Sequence, residues 1–178
     1  MQQIKLHDKW FEPYISEAQI VEAVARIAGA IRRDMEGKNP LFVGVLNGAF
    51  MFVAELMKHL PPDSELTFAA YSSYHGMKSE GTVRELLPIR GNVKDRPVIL
   101  LEDVIDTGLT MWYVMNLLRE RGAADVKLAT MLLKPAALQC DLKPDYVGLE
   151  IGNDFITGFG LDYNGLGRNT RDIYKVVI

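Results

Sequence analysis

The sequence predicts an α/β domain with a mainly parallel, twisted sheet and helices on both of its faces. Short apolar runs, typical of strands buried on both faces, alternate with segments of helical period along the chain. The polar segments that suggest chemistry follow these apolar runs, where open α/β sheets collect their ligands. The 178 residues contain no internal repeat, low-complexity tract or linker. We therefore expect residues 1–178 to form a single domain.

The amino-terminal part predicts a helix followed by a strand-turn-helix unit. Ser16-Glu17-Ala18-Gln19 has the form of a capping box, and apolar residues at helical spacing follow it until Gly37. The run 41–46 is a buried strand, and Asn47-Gly48 turns the chain into an apolar helix that ends near Pro61.

The middle of the chain predicts two strands and a loop between them. The strands cover residues 65–71 and 82–89. The stretch 72–81 is polar, contains two glycines and has no periodicity, which indicates a mobile loop.

The second half repeats the alternation of strand and helix. A buried strand over 97–101 precedes a helix that ends at Gly122, and two further strands cover 126–133 and 145–151. The inner face of the helix is marked by Leu109, Trp112, Met115 and Leu118.

Composition and charge exclude several classes of function. The first ten residues are too polar for a signal peptide, and the most apolar stretch, 41–57, is interrupted by polar residues and is too short to span a bilayer. Cys140 is the single cysteine, so no internal disulfide forms, which fits a reducing cytoplasm. The net charge of −3 supplies no basic field for nucleic acid. We expect a cytoplasmic protein that binds neither membrane nor nucleic acid.

Residues 98–110 are the most informative segment. Glu102 and Asp103 follow an apolar strand, where two adjacent carboxylates repel each other unless a cation, a hydroxyl-rich ligand or water compensates them. The run 106–110, Asp-Thr-Gly-Leu-Thr, then places hydroxyls, a glycine and free backbone N–H groups where a helix begins. This arrangement predicts a site for a phosphate monoester.

Each of these residues also has an ordinary structural interpretation. Glu102 and Asp103 can be solvated turn residues, and Asp106 or Thr107 can be an N-cap. The combination of three acids and a hydroxyl-glycine cradle within nine residues after a buried strand favours the functional interpretation.

The segment 98–110 resembles the phosphoribosyl pyrophosphate motif of the type I phosphoribosyltransferases, in the form Glu-Asp-Val-Ile-Asp-Thr-Gly-Leu-Thr of the hypoxanthine and hypoxanthine-guanine enzymes. The resemblance extends from Leu41 to the end. Residues 45–48 resemble the family's pyrophosphate loop, Ser73-Tyr74 the start of its closing loop, and 132–134 with 147–168 its base-binding strand and lid. It implies a type I phosphoribosyltransferase core with a small base-binding hood.

The resemblance implies roles for the phosphoribosyl contacts. Glu102 and Asp103 would contact the ribose hydroxyls, Asp106 would handle the purine N7 proton, and 106–110 would hold the 5-phosphate. The implied phosphate-holding residues are Asp106, Thr107, Gly108, Leu109 and Thr110. Leu46, Asn47, Gly48, Ser73 and Tyr74 complete the implied substrate contacts.

The resemblance also implies the base and metal contacts. Lys134 would donate to the base O6, Phe155 would stack on the ring, and the backbone of Ile156 would read the base edge. Asp162 would bind Mg²⁺ directly, Asp103 through bound water in some states with Glu102 beside it, and Arg168 would contact pyrophosphate.

One position departs from the family pattern. The family often has a lysine or arginine where Asn47 stands, so one charge toward pyrophosphate is missing. Backbone N–H groups of the loop could still bind it, since the resemblance implies a non-proline cis peptide between Leu46 and Asn47.

The implied function is transfer of the 5-phosphoribosyl group from phosphoribosyl pyrophosphate to hypoxanthine, guanine or both, giving IMP or GMP and pyrophosphate in purine salvage. A homodimer or homotetramer is implied as well. The alternatives are an RNA-binding regulator on the same fold, which the charge disfavours, and a phosphoribosyltransferase for xanthine or adenine, which would differ in the base pocket. Lys134 with Phe155 favours a 6-oxopurine. A dinucleotide-binding oxidoreductase lacks its Gly-x-Gly-x-x-Gly turn. The sequence leaves the preference among hypoxanthine, guanine and xanthine open.

Overall fold

A computed structural model describes residues 2–73 and 83–177. Within these residues the chain forms ten strands, three α-helices and a short 3₁₀ turn at Pro135–Ala137. The strands are β1 (Ile4–Leu6), β2 (Lys9–Ile15), β3 (Leu41–Leu46), β4 (Glu65–Ser73), β5 (Val83–Leu87), β6 (Pro97–Ile105), β7 (Asp125–Leu133), β8 (Tyr146–Glu150), β9 (Ile156–Thr157) and β10 (Ile173–Val176). The helices are α1 (Glu17–Asp34), α2 (Phe50–Met57) and α3 (Leu109–Glu120).

The main sheet has six strands in the order β5-β4-β3-β6-β7-β8. All neighbouring pairs are parallel except β4 with β5, which is antiparallel. The predicted mainly parallel α/β sheet is therefore confirmed. Strand order places the carboxyl ends of β3, β6 and β7 side by side, where the predicted site residues follow.

Helices cover both faces of this sheet, as predicted. Alternate residues of β6 point to opposite faces: Ile99 and Leu101 join a core with α1 and α2, whereas Val98 and Leu100 join a second core with α3. Burial on both faces explains why the strands have continuous apolar sequences.

The amino-terminal capping box is also confirmed. The Ser16 hydroxyl accepts a hydrogen bond from the Gln19 backbone N–H at 3.4 Å, and the Gln19 side chain accepts one from the Ser16 backbone N–H at 3.0 Å. Gly37 follows the end of α1 with φ +70°.

A second sheet, antiparallel, was not predicted in this form. Its order is β1-β2-β10-β9, so it joins the first residues of the chain to the last. β1 and β2 pair with each other as a hairpin, but β2 gains its second neighbour, β10, only from the opposite end of the chain, which no local sequence pattern indicates. This sheet lies beside the larger core, to which Ile15, Ile156 and Ile173 contribute.

The predicted strand over 97–101 is too short. β6 continues to Ile105, because its residues up to that point pair with β7 through Leu133. Glu102 and Asp103 consequently lie within the strand, where ladder pairing outweighs the low strand propensity of acidic residues.

No helix among the described residues is long and apolar enough to cross a membrane.

Candidate active site

Two adjoining cavities open at the carboxyl ends of the central strands. Their volumes are about 360 Å³ and about 370 Å³. Both are lined by Val45, Leu46, Glu102, Val104 and Asp106. This shared wall, formed where β3 and β6 end, makes the two cavities compartments of one cleft.

Different parts of the chain complete the two compartments. The helix-side cavity is completed by Tyr71, Ile105, Thr107, Gly108, Thr110 and Met111. The lid-side cavity is completed by Gly48, Asp103, Lys134 and part of the segment 155–168, which we term the lid segment. The lid-segment residues that line it are Phe155, Ile156, Leu161, Asp162 and Arg168. A larger concavity of about 750 Å³ lies beside the end of α1 and the start of β3, and none of the predicted site residues lines it.

The acidic pair forms part of the wall of the cleft. The Glu102 and Asp103 side chains are half-buried, and Oε2 of Glu102 is buried without a hydrogen-bond partner among the described residues. The interpretation of both acids as solvated turn residues is therefore wrong, because they lie in a paired strand. A buried oxygen without a partner is the feature that a hydroxyl-bearing ligand would satisfy.

Both carboxyl groups hold their protons more tightly than usual. Burial raises the pKa of Glu102 well above its ordinary range, and the neighbouring Asp103 carboxylate raises it further. Burial also raises the pKa of Asp103, although hydrogen bonds from the Val104 backbone N–H, at 2.7 Å, and from Glu102 oppose the rise. These pKa shifts favour the protonated form of Glu102 more than that of an exposed glutamate.

The helix-side cavity is built around the start of α3. Gly108 is the N-cap, with φ +79° and no side-chain capping bond, so the alternative that Asp106 or Thr107 caps this helix is wrong. The first N–H groups of a helix lack carbonyl partners within it and, with the helix dipole, favour an anion. Together with the Thr107 and Thr110 side chains they make this cavity suitable for a phosphate group.

A basic side chain and an acidic one face each other in the lid-side cavity. Nζ of Lys134 lies 3.2 Å from Oδ2 of Asp106. Lys134 is 9% exposed, and its backbone N–H donates to the Ile105 carbonyl at 2.9 Å, which fixes it beside the end of β6. The pair thus presents a donor and an acceptor at one point of the cleft.

The lid segment carries a second ion pair. Nη2 of Arg168 lies 2.6 Å from Oδ1 of Asp162. Nη1 of Arg168 also donates to the Gly160 carbonyl at 2.7 Å, and the other Asp162 oxygen accepts from the Gly165 N–H at 2.6 Å. These bonds hold both charges at the mouth of the lid-side cavity, with the Phe155 ring 47% exposed beside them.

The turn after β3 closes the cleft from the other side. The peptide bond between Leu46 and Asn47 is cis, as the resemblance implies. Gly48 lies against the Asp103 carboxyl group so closely that a Cβ atom there would overlap it. Asn47, between the lining residues Leu46 and Gly48, is exposed and itself lines neither cavity.

The remaining predicted residues have different placements. Leu109 is 39% exposed and does not line the cleft. Ser73 is the last residue of β4, whereas Tyr74 and nearly all of the predicted loop, residues 74–81, lie outside the described residues.

Tyr71 is a site residue that the sequence did not reveal. It lines the helix-side cavity with Thr107, Gly108 and Thr110, and burial together with Glu85 raises its pKa to about 12, so its phenol is neutral. The only signal in the sequence is its position near the carboxyl end of a strand next to β3.

Comparisons with known proteins agree with this geometry. A family model described as a phosphoribosyl transferase domain matches residues 15–164. The chain is 44% identical over 156 residues to the hypoxanthine-guanine phosphoribosyltransferase of Lactococcus lactis subsp. lactis (strain IL1403). The matched segment covers 87% of this chain and 85% of that protein. It is 43% identical over 155 residues to the one of Streptococcus mutans serotype c (strain ATCC 700610 / UA159), with 86% of each covered.

Solved structures give the same result for the fold. A hypoxanthine-guanine phosphoribosyltransferase from Bacillus anthracis superposes with a TM-score of 0.89 at 36% identity, covering 93% of this chain and 98% of that one. A hypoxanthine phosphoribosyltransferase from Staphylococcus aureus superposes with a TM-score of 0.88 at 30% identity, covering 93% of this chain and 91% of that one. The likeness in sequence and in fold extends over most of the chain.

Proposed function

This chain belongs to the phosphoribosyltransferase family, among the hypoxanthine-guanine phosphoribosyltransferases, and from that premise we propose that it transfers the 5-phosphoribosyl group of phosphoribosyl pyrophosphate to hypoxanthine, guanine or both. The products are IMP or GMP and pyrophosphate, which makes it a glycosyltransferase of purine salvage. In this proposal residues 1–178 act as one domain, in the cytoplasm, as a homodimer or homotetramer.

The observation that carries the choice of base is the Lys134–Asp106 pair, with its 3.2 Å separation. A 6-oxopurine presents O6 and N7 as neighbours on one edge of the ring. An ammonium donates to O6, and a carboxylate accepts a proton from N7, so the pair matches that edge. Adenine offers an amino group in place of O6, and two donors would then face each other.

The base would lie between this pair and the lid segment. The exposed face of Phe155 offers a surface for stacking, and Ile156 begins β9 beside it, with a backbone that can bond to the base edge. Phe155 and Ile156 both line the lid-side cavity, which supports this assignment.

The phosphoribosyl group would span the two compartments. The unpartnered Glu102 oxygen and the neighbouring Asp103 suit the ribose hydroxyls. The start of α3, with Thr107, Gly108 and Thr110, suits the 5-phosphate. Because Glu102 lines the wall at which the compartments meet and Asp103 lies next to it in the lid-side cavity, a sugar held there would point its C1 atom toward the base.

Pyrophosphate and Mg²⁺ would occupy the part of the lid-side cavity near Gly48. Asp103 and Asp162 offer only oxygen ligands there, which Mg²⁺ prefers, with Arg168 beside them for the phosphates. In residues 2–73 and 83–177 no three His, Cys, Asp or Glu side chains group into a metal site. This donor set fits an ion bound by one or two carboxylates together with substrate phosphates. When bound, Mg²⁺ supplies charge neutralisation on the leaving group.

The side chains would act together as the C1–pyrophosphate bond breaks and the purine nitrogen attacks from the opposite side. Arg168 stabilises the departing negative charge, and the fixed 5-phosphate supplies orientation. Asp106 takes up the proton that N7 releases, since it lies at the compartment boundary and is exposed to the cleft.

Product formation from phosphoribosyl pyrophosphate and single bases tests this proposal. We expect turnover with hypoxanthine, guanine or both, little with adenine, and none in excess chelator. Asp162→Ala should weaken use of phosphoribosyl pyrophosphate more than binding of free base. Full turnover in chelator would contradict the role of Mg²⁺, and equal use of adenine would contradict the base pocket.

A further inference from the structure

The turn of the amino-terminal hairpin contacts the lid segment. His7 and Asp8 are the two residues between β1 and β2, and the hydroxyl of Tyr163 donates to Oδ1 of Asp8 at 2.7 Å. Nε2 of His7 lies 3.2 Å from the carbonyl oxygen of Asn164. The hairpin begins before residue 15, where the family match starts, so no site assigned so far includes it.

Tyr163 connects this turn to the stacking ring. Its ring centroid lies 5.6 Å from that of Phe155, with the two planes at 81°, an edge-to-face contact. The same ring also meets the His7 ring, with 5.7 Å between the centroids, again edge to face. A chain of contacts therefore runs from the hairpin turn through Tyr163 to Phe155.

Phe155 needs such support, because it is 47% exposed toward the cleft. Its aromatic contacts come from behind, from Tyr163 and from the fully buried Phe11 of β2, whose centroid lies 6.2 Å away. Phe11 is fixed in the core and also packs against the Tyr163 ring, with 5.7 Å between the centroids, whereas Tyr163 is half-buried and its hydroxyl bonds to Asp8. The bond at the hydroxyl end of Tyr163 therefore contributes, together with Phe11, to the orientation of the exposed Phe155 ring.

We propose that Asp8 is a positioning residue for purine binding: its hydrogen bond fixes Tyr163, which sets the orientation of the Phe155 ring on which the base stacks. The inference rests on the proposed function, since it assumes that a purine occupies the Phe155 face. It adds the amino-terminal hairpin to the base site and assigns it no contact with phosphoribosyl pyrophosphate.

Steady-state kinetics of the full chain with hypoxanthine and phosphoribosyl pyrophosphate test the proposal. Asp8→Ala removes the acceptor, and Tyr163→Phe removes the hydroxyl but keeps the ring. Each should raise KM for hypoxanthine about two- to tenfold, the range for loss of one hydrogen bond. KM for phosphoribosyl pyrophosphate and the thermal midpoint should stay at wild-type values. The double variant should be no worse than either single one, because both remove the same bond.

Two further variants separate positioning from general support of the fold. Asp8→Asn keeps an acceptor oxygen and should restore KM for hypoxanthine to the wild-type value. Glu12→Gln removes an ion pair with Lys175, at 3.3 Å in the same sheet, without touching Tyr163, and should leave all constants unchanged.

The outcomes are distinguishable. An active wild type whose KM for hypoxanthine is unchanged in Asp8→Ala and Tyr163→Phe overturns this inference alone. So does a parallel rise in both KM values with a lower thermal midpoint, since that indicates a purely structural role. A wild type without turnover on any 6-oxopurine overturns the proposed function and this inference with it.

Discussion

The two compartments of the cleft are built in opposite ways. The helix-side cavity takes most of its lining from one continuous strand-to-helix connection, residues 102–111, to which Val45, Leu46 and Tyr71 are added from distant strands. The lid-side cavity gathers residues from the end of β3 and the turn after it, the end of β6, the residue after β7, and the lid segment. The cavity proposed for phosphate is thus encoded locally, whereas the cavity proposed for the base depends on how the sheets assemble.

Their charges differ as well. Among the described residues, no lysine or arginine lines the helix-side cavity, so an anion there must rely on backbone N–H groups, hydroxyls and the helix dipole. The lid-side cavity contains two cations, Lys134 and Arg168, and each is paired with a carboxylate. Substitutions in the two compartments should consequently affect different substrates.

Asp106 borders both compartments, and its substitution should have the largest effect. Asp106→Asn keeps the shape but cannot accept a proton, and general acid–base catalysis typically contributes roughly 10²–10⁴-fold. We expect kcat to fall by about 10²-fold or more with fold and 5-phosphate affinity retained. Asp63→Asn, an exposed position away from the cleft, is the control. A kcat within about threefold of wild type would remove support for proton transfer.

Substitution of Lys134 should affect only the use of the base, which is proposed to bind in the lid-side cavity. Lys134→Ala should lower kcat/KM for hypoxanthine by about 10- to 100-fold, the value of a hydrogen bond from a charged group. The advantage of hypoxanthine over adenine should narrow. Lys127→Ala is matched, since Lys127 lies in the same segment and pairs with Asp145 at the same 3.2 Å. If Lys134→Ala kept the wild-type preference for hypoxanthine over adenine, the proposed division of roles between the two cavities would be contradicted.

Gly108 tests the helix-side compartment. An added Cβ would lie 3.1 Å from each of Leu138, Cys140 and Leu142, and the φ of +79° disfavours a side chain. Gly108→Ala should therefore lower the free energy of unfolding by about 1–3 kcal/mol and raise KM for phosphoribosyl pyrophosphate, with KM for hypoxanthine little changed. Gly37→Ala, at φ +70° in open space, isolates the backbone cost from the effect on the site. Equal KM values for both variants would contradict a role in phosphate binding.

Asn47 should give the smallest effect. Asn47→Lys restores a cation beside the pyrophosphate loop, but the position is exposed and lines neither cavity. We expect pyrophosphate to bind about two- to fivefold more tightly, the range of an exposed ion pair. Product inhibition by pyrophosphate measures this, with Asn92→Lys as a control for added charge. No change would indicate that backbone groups alone bind pyrophosphate.

The prediction of the main sheet succeeded where local patterns were strong. The capping box of α1 and the apolar runs of β3, β6 and β7 gave the correct elements, because burial on both faces demands continuous apolar sequence. The second sheet was missed, since β2 and β10 stabilise each other from opposite ends of the chain and neither has a distinctive sequence.

By itself, the sequence determined the α/β fold and the family, and it predicted the phosphate cradle, because strand, turn and helix N-terminus at residues 98–110 are consecutive and their chemistry is local. Tertiary structure decided what distant segments do together. It brought Lys134 to Asp106, paired Arg168 with Asp162, buried the unpartnered oxygen of Glu102, and joined Asp8 to Tyr163 across 155 positions. Such contacts depend on strand order and sheet packing, which no local pattern specifies.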